Sequence, residues 1–181
     1  MERKPLLIVM VGLPGSGKST KAEEINEEFG IKVYSSDKIR GELYGDENAQ
    51  INHGKVFGTL YYRISRALER GEDCIVDATN CSRKDRSGVF KQIRCDKPFD
   101  TVAYVVTTNV EECIRRDSGR DRTVGPEVVE RFAKRFTIPS AEEGFKDVFI
   151  DNNRSEVERF HNLLAGKEPE LQNPEKDLVL V

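Results

Sequence analysis

Gly12-Leu13-Pro14-Gly15-Ser16-Gly17-Lys18-Ser19-Thr20 constrains this chain more than any other stretch. It satisfies G-x-x-x-x-G-K-[ST] between a six-residue apolar run, Leu6 to Val11, and a helical pattern from Lys18 to Phe29 that Gly30 ends. The glycines let the backbone curl so that successive N–H groups point inward as a nest for phosphate oxygens. A helix opening near Gly17 aims its positive end at the same anion. Lys18 supplies a point charge to the β and γ phosphates, and Ser19 offers a hydroxyl to Mg²⁺. The expected triphosphate cradle is therefore Gly12, Pro14, Gly15, Ser16, Gly17, Lys18, Ser19 and Thr20. The alternative is a glycine-rich turn that binds nothing. With strand, loop and helix signals in order, the reading is a chain that binds ATP or another nucleoside triphosphate.

The rest of the chain alternates in the same way. Ile31 to Ser35 reads as a second strand, Cys74 to Asp77 as a third, Thr101 to Thr107 as a fourth and Val148 to Ile150 as a fifth. Val56, Leu60, Ile64 and Leu68 fall at four-residue spacing, which predicts a helix over 53–70 closed by Gly71. Asn109 to Arg116, Pro126 to Phe136 and Arg154 to Leu164 also read as helices, with Pro126 suited to a first helical position. Alternating strands and helices predict an α/β fold: a parallel five-stranded sheet flanked by helices, as in P-loop kinases. The expected domain covers 1–165. Residues 166–181 are polar, hold two prolines and end in Leu-Val-Leu-Val; they read as a tail, with the edge of a further domain as the alternative.

Composition closes off other classes. With 181 residues, 37% of them hydrophobic, the chain can bury an ordinary core and is not a disordered polymer. No apolar run approaches the roughly 18 residues of a membrane span, and the apolar run near the start ends in a glycine loop instead of a cleavage site. No membrane partner and a cytoplasmic location are the expectations. Cys74, Cys81, Cys95 and Cys113 form no C-x-x-C pair, and only His53 and His161 can add imidazoles, so the cysteines read as reduced thiols, not zinc ligands. The net charge of −3 argues against a protein that coats DNA, while leaving room for a local basic groove.

Three segments bear on the acceptor. Tyr34-Ser35-Ser36-Asp37-Lys38-Ile39-Arg40 lies at the carboxyl end of the second strand, where ligands gather in open parallel sheets. Asp37 can take a proton from an attacking hydroxyl, and Arg40, one turn on, can hold an anion. The same residues also suit a helix start capped by Ser36 or Asp37, with Arg40 solvated. Asp77 ends the third strand where P-loop proteins place a carboxylate near the metal, directly or through water; a plain turn-forming aspartate is the alternative. Arg83, Lys84, Arg86, Lys91, Arg94 and Lys97 form either a solvated helix face or one wall of a polyanion groove.

Finally, Arg115-Arg116-Asp117-Ser118-Gly119-Arg120-Asp121-Arg122-Thr123-Val124-Gly125-Pro126 packs four arginines into eight residues around a glycine. It reads as a mobile lid, about 115–126, that closes over the triphosphate; a basic, solvated helix end is the bland alternative. An arginine that neutralises charge on the transferring phosphoryl is worth about 10³- to 10⁵-fold in rate.

Together, GLPGSGKST, SSDKIR, VDATN, RRDSGRDRTV and EEGFKDVFI resemble the polynucleotide 5′-hydroxyl kinases, in particular the kinase module of bacterial and phage end-healing enzymes. The resemblance covers about Leu6 to Ile150. It implies transfer of the ATP γ-phosphate, with Mg²⁺, to 5′-OH ends of RNA or DNA. It implies Asp37 as general base and Arg40 on the phosphate beside the acceptor nucleotide. Arg116 and Arg120 would engage the triphosphate, with Arg122 a further candidate; from the basic run rather than the resemblance, Arg83 and Arg86 are the candidates to join Asp37 and Arg40 on the nucleic-acid side. Related kinases commonly self-associate, so a homo-oligomer is compatible with it. No D-x-D-x-T phosphatase motif and no K-x-D-G ligase motif is present, so the implied activity is kinase alone. A kinase of a small or tRNA-linked acceptor, or a regulatory nucleotide-binding module, shares the loop and the lid.

Overall fold

In the computed structural model, which describes residues 3–47, 49, 51–120 and 123–167, the central strand is β1 (Leu6–Val11), with all six residues buried. That explains why it reads as an unbroken apolar run: both its faces are covered. The other strands are β2 (Lys32–Ser35), β3 (Cys74–Asp77), β4 (Asp100–Val105) and β5 (Asp147–Ile150), in the order β2-β3-β1-β4-β5. Every pairing is parallel. The expected α/β sheet is therefore the observed one, a P-loop kinase fold.

Alternate residues of β1 serve opposite layers. Leu7, Val9 and Val11 meet Val56, Leu60, Ile64 and Leu68 of α3 (His53–Glu69). Leu6, Ile8 and Met10 face Ala22 and Ile25 of α1 (Lys18–Phe29) and Phe160 of α7 (Arg154–Leu164). A third, small cluster of Leu13, Cys81, Cys113 and Val129 lies beneath α5 (Val110–Ser118) and α6 (Pro126–Lys134). Two further helices, α2 (Ser36–Tyr44) and α4 (Arg83–Gln92), start directly after β2 and shortly after β3. A 3-10 turn, Ala141–Glu143, precedes β5.

Because the strands are parallel, their carboxyl ends share one rim, and the phosphate loop, α2 and Asp77 all open there. Ser35 pairs in register with Asp77, and Val11 with Val105. The cap of α2 differs from both sequence candidates: it is Ser35, whose Oγ accepts from the Lys38 N–H at 3.4 Å. The strand runs to its last residue and the helix begins at once, so the cap falls one position early. Among the described residues no helix is long and apolar enough to cross a membrane. Most of the expected tail, 168–181, lies outside the described residues.

Candidate phosphoryl-transfer site

The loop after β1 has the geometry its glycines foretell. Gly15 and Gly17 have φ of +81° and +95°, in the left-handed region. Gly17 caps α1 without any side-chain bond to the first turn, so its N-terminal N–H groups are left for an anion. Lys18 opens that helix and is partly buried; Ser19 and Thr20 follow it, exposed. Gly12 is buried, and a Cβ there would stand 2.6 Å from Ser16 Oγ. Pro14 is partly exposed on the turn that Ser16 N–H closes onto the Leu13 carbonyl at 3.0 Å.

Neighbours that sequence reasoning left without a role brace this loop from below. Asn80 Nδ2 donates to the Met10 carbonyl at 3.0 Å, and Cys81 Sγ to the Gly12 carbonyl at 3.2 Å. Thr108 Oγ1 donates to the Ser16 carbonyl at 2.8 Å. Burial raises the Cys81 thiol to about 11, so it stays protonated as a donor.

Two buried oxygens at the rim have no hydrogen-bond partner: Ser16 Oγ and Asp77 Oδ1. Asp77 is 6% exposed at the end of β3. A buried carboxylate oxygen left unpaired costs free energy unless water or a cation meets it. Asp77 therefore fits a metal ion or its water shell, with Ser19 as the hydroxyl ligand expected beside it.

Asp37 stands in the first turn of α2, its side chain 47% exposed. Arg40 Nη1 donates to its Oδ1 at 2.6 Å and reaches the Glu47 carbonyl at 3.4 Å. Arg40 itself is buried, neither solvated nor turned outward. The pair thus presents one carboxylate to the rim, oriented from behind by a guanidinium.

The segment expected as a lid is built around two acids. Glu112 accepts from Arg115 Nε and Nη2 at 2.6 and 2.7 Å and from Arg116 Nε at 2.6 Å. Those guanidinium bonds hold its carboxyl down at about 2. Arg116 Nη1 also donates to the Ser16 carbonyl at 3.2 Å, which lays this arginine against the phosphate loop. Asp117, buried, accepts from the Val124 N–H at 2.9 Å and the Gly125 N–H at 2.9 Å, tying the end of α5 to the start of α6. Sequence reading gave Asp117 no role. Arg120 is exposed on the connecting loop, and Arg122 lies outside the described residues.

The basic run after β3 divides. Arg83 is exposed, with a 3.3 Å bond to Glu142. Arg86 is 0% exposed, which corrects the expectation that it lines a groove. Its five N–H donors are spent on Glu143 (2.8 and 2.7 Å), the Asn80 and Thr137 carbonyls (3.0 and 2.9 Å) and Thr137 Oγ1 (3.1 Å). Through Asn80 it supports the strand that leads into the phosphate loop.

Fold and loop together define a P-loop kinase-like domain. The chain belongs to the AAA domain family AAA_33, whose model matches residues 7–139. No curated protein matches it. Among solved structures it is similar to a chain of the Pnkp1/Rnl/Hen1 RNA repair complex, at 22% identity and a TM-score of 0.62, over 75% of this chain and 45% of that one. It thus spans less than half the length of that relative. It is also similar to Kti12 of Chaetomium thermophilum, in complex with ADP-AlF3, at 18% identity and a TM-score of 0.68, over 89% and 98% of the two chains. The APS kinase CysC of Mycobacterium tuberculosis matches at 17% identity and a TM-score of 0.61, over 91% and 99%. At these identities the likeness is one of fold.

Proposed function

We propose that the protein is an ATP-dependent polynucleotide 5′-hydroxyl kinase that passes the γ-phosphate to 5′-OH ends of RNA or DNA, in nucleic-acid end repair. The observation that carries this reading is the Asp37–Arg40 pair: a half-exposed carboxylate on the rim, oriented by a buried guanidinium at 2.6 Å. The 5′-oxygen attacks the γ-phosphorus in line, the bond to the β,γ-bridging oxygen breaks, and Asp37 takes the hydroxyl proton. Lys18 and the loop N–H groups hold the triphosphate, and Arg116 and Arg120 neutralise charge as it builds on the transferring group. Mg²⁺, bound at Ser19 with Asp77 directly or through water, would add charge neutralisation at the β and γ oxygens.

The RNA repair complex among the similar structures supports a nucleic-acid acceptor. Near-complete overlap with the whole chain of APS kinase supports a second reading, phosphorylation of a small-molecule acceptor.

Transfer of γ-labelled phosphate from ATP separates them. Wild type, Lys18→Ala and Asp37→Asn are offered 5′-OH oligonucleotides, the same strands already 5′-phosphorylated, and small hydroxyl acceptors. Label on the 5′-OH strand alone, lost in both variants, is the expected result. Label on small acceptors and none on the strand overturns it.

A further inference from the structure

The free edge of the sheet at β2 carries a second cationic surface. A cleft of about 370 Å³ lies between β2, α2 and α3, and Lys32, Lys38, Arg63, Arg66 and Arg70 line it against one carboxylate, Glu42. Five cations in one cleft stand out in a chain of net charge −3. Three already have partners: Arg63 bonds Glu42 at 2.6 Å, Arg70 bonds Glu72 at 2.7 Å, and Lys38 bonds Glu23. Lys32 and Arg66 form no ion pair among the described residues.

A second cleft of about 300 Å³ opens on the other side of α3 and adds Arg94. Tyr62 and Arg66 line both clefts. They are four residues apart on α3, so they stand one above the other as the ridge between. Tyr62 is 65% exposed, more than any other large hydrophobic residue described. Ser35 and Lys38, on either side of Asp37 in sequence, also line the first cleft.

An exposed aromatic ring set among spaced cations is the arrangement by which proteins hold single strands: bases stack on the ring while the cations follow the phosphates. A membrane surface would ask for several apolar anchors, and an acidic peptide would leave the ring without a purpose. We propose that this edge binds the body of a single-stranded nucleic acid, with a base on Tyr62 and phosphates at Arg66 and Lys32. The inference rests on the nucleic-acid acceptor proposed above, and adds the surface that makes longer strands better acceptors.

Anisotropy of a fluorescent single strand of about 12 nucleotides, within the usual range of site sizes, tests it without ATP or turnover. Tyr62→Ala weakens Kd by about 5- to 160-fold, the range for one base stack. Arg66→Ala lowers the slope of log affinity on log salt by about 0.7, one phosphate contact. Arg154→Glu, at the exposed first position of α7, serves as the control. In the transfer assay the KM advantage of the long strand over a dinucleotide shrinks in Tyr62→Ala and Arg66→Ala.

Wild-type binding that neither variant alters overturns the edge site. So does a wild type that binds no single strand at low salt, the result expected of a surface that docks a protein. Tyr62-dependent binding with no phosphorylation of any 5′-OH strand would sink the kinase reading and leave the edge site standing. Transfer to strands with no length advantage and no effect of either variant would do the reverse.

Discussion

Arg116 Nη1 donates to the carbonyl oxygen of Ser16 at 3.2 Å, across one hundred positions of sequence. This arginine of α5 therefore already touches the glycine-rich loop after β1, and Glu112 holds it there by its Nε. An arginine so placed needs only a side-chain rotation to meet a triphosphate. Arg116→Lys, which keeps the charge and loses the fork, is expected to lower kcat by about 10³-fold or more. Steady-state turnover with ATP checks it, and a change under tenfold would remove Arg116 from the mechanism. The Glu112 carboxyl is held at about 2, below its ordinary 4.5. Its clamp is therefore complete above pH 4.5 and is lost only as pH falls toward 2. Any acid limb of activity above that window belongs to another group.

Asp117 bridges the two lid helices through the Val124 and Gly125 N–H groups, and burial makes those bonds matter. Asp117→Ala leaves two backbone donors without their acceptor. The expected cost is about 1.5–3 kcal/mol, as for hydrogen bonds to a charged group. At this chain length that is a fall in Tm of roughly 3–12 °C. Calorimetry reads the stability, and faster proteolysis within 118–125 shows that the loss is local to the lid.

Gly15 combines a φ of +81° with an approach to Cys113 so close that a Cβ would clash with the Cys113 carbonyl oxygen. The neighbour is backbone of α5 and cannot swing aside. Gly15→Ala therefore forces the loop and the lid helix apart, and with them Ser16 and Arg116. Left-handed strain and overpacking together predict about 2–5 kcal/mol of destabilisation. Urea denaturation measures that, and nucleotide titration is expected to show binding lost even where the variant remains folded.

Much of this was legible in the sequence, for a physical reason: it is local. The phosphate loop is specified by consecutive residues, and β1 and α3 by unbroken or four-residue apolar spacing, so each was placed from its own segment. Boundaries shifted where two elements meet without a loop, as when Ser35 serves as both last residue of β2 and cap of α2. What stayed hidden depends on partners distant in sequence. Nothing near Arg86 foretells its burial, because Thr137 and Glu143 lie 51 and 57 positions away. Asp117 looked like one charge in a basic run, and only the return of the chain at Val124 gives it a role. Asn80 was visible within VDATN, yet its bond to Met10 spans 70 positions.

The two arginines of α4 now have opposite expected behaviour. Arg86→Ala leaves Glu143 as a buried charge without its partner, a change worth about 3–5 kcal/mol. Arg83 is exposed with a long ion pair, so Arg83→Ala is expected to move stability by less than about 0.5 kcal/mol. Denaturation of both variants checks the contrast. If Arg83→Ala also raises the KM for a 5′-OH strand, the groove wall proposed for α4 runs along Arg83 alone.

Alkaline stability tests the packing of both layers against the sheet. Burial, helped by the nearby carboxylates of Asp85 and Asp151, pushes Tyr61 and Tyr104 from an ordinary 10 up to about 12. Tyr61 belongs to the α3 layer and Tyr104 to the α1 and α7 layer. The folded chain keeps protons that the unfolded chain releases, so this contribution is full below pH 10 and is lost as pH rises toward 12. Urea midpoints are expected to fall through that window, and the share of tyrosinate absorbance that Tyr61→Phe or Tyr104→Phe removes to rise only as the protein unfolds. The buried Cys81 thiol, pushed up to about 11, adds to the same fall, so Tyr61→Phe and Tyr104→Phe supply the reference: each should flatten it. Tyrosinate that appears near pH 10 in the folded protein and is missing from either Phe variant, with the midpoint unchanged, would mean that water reaches these rings.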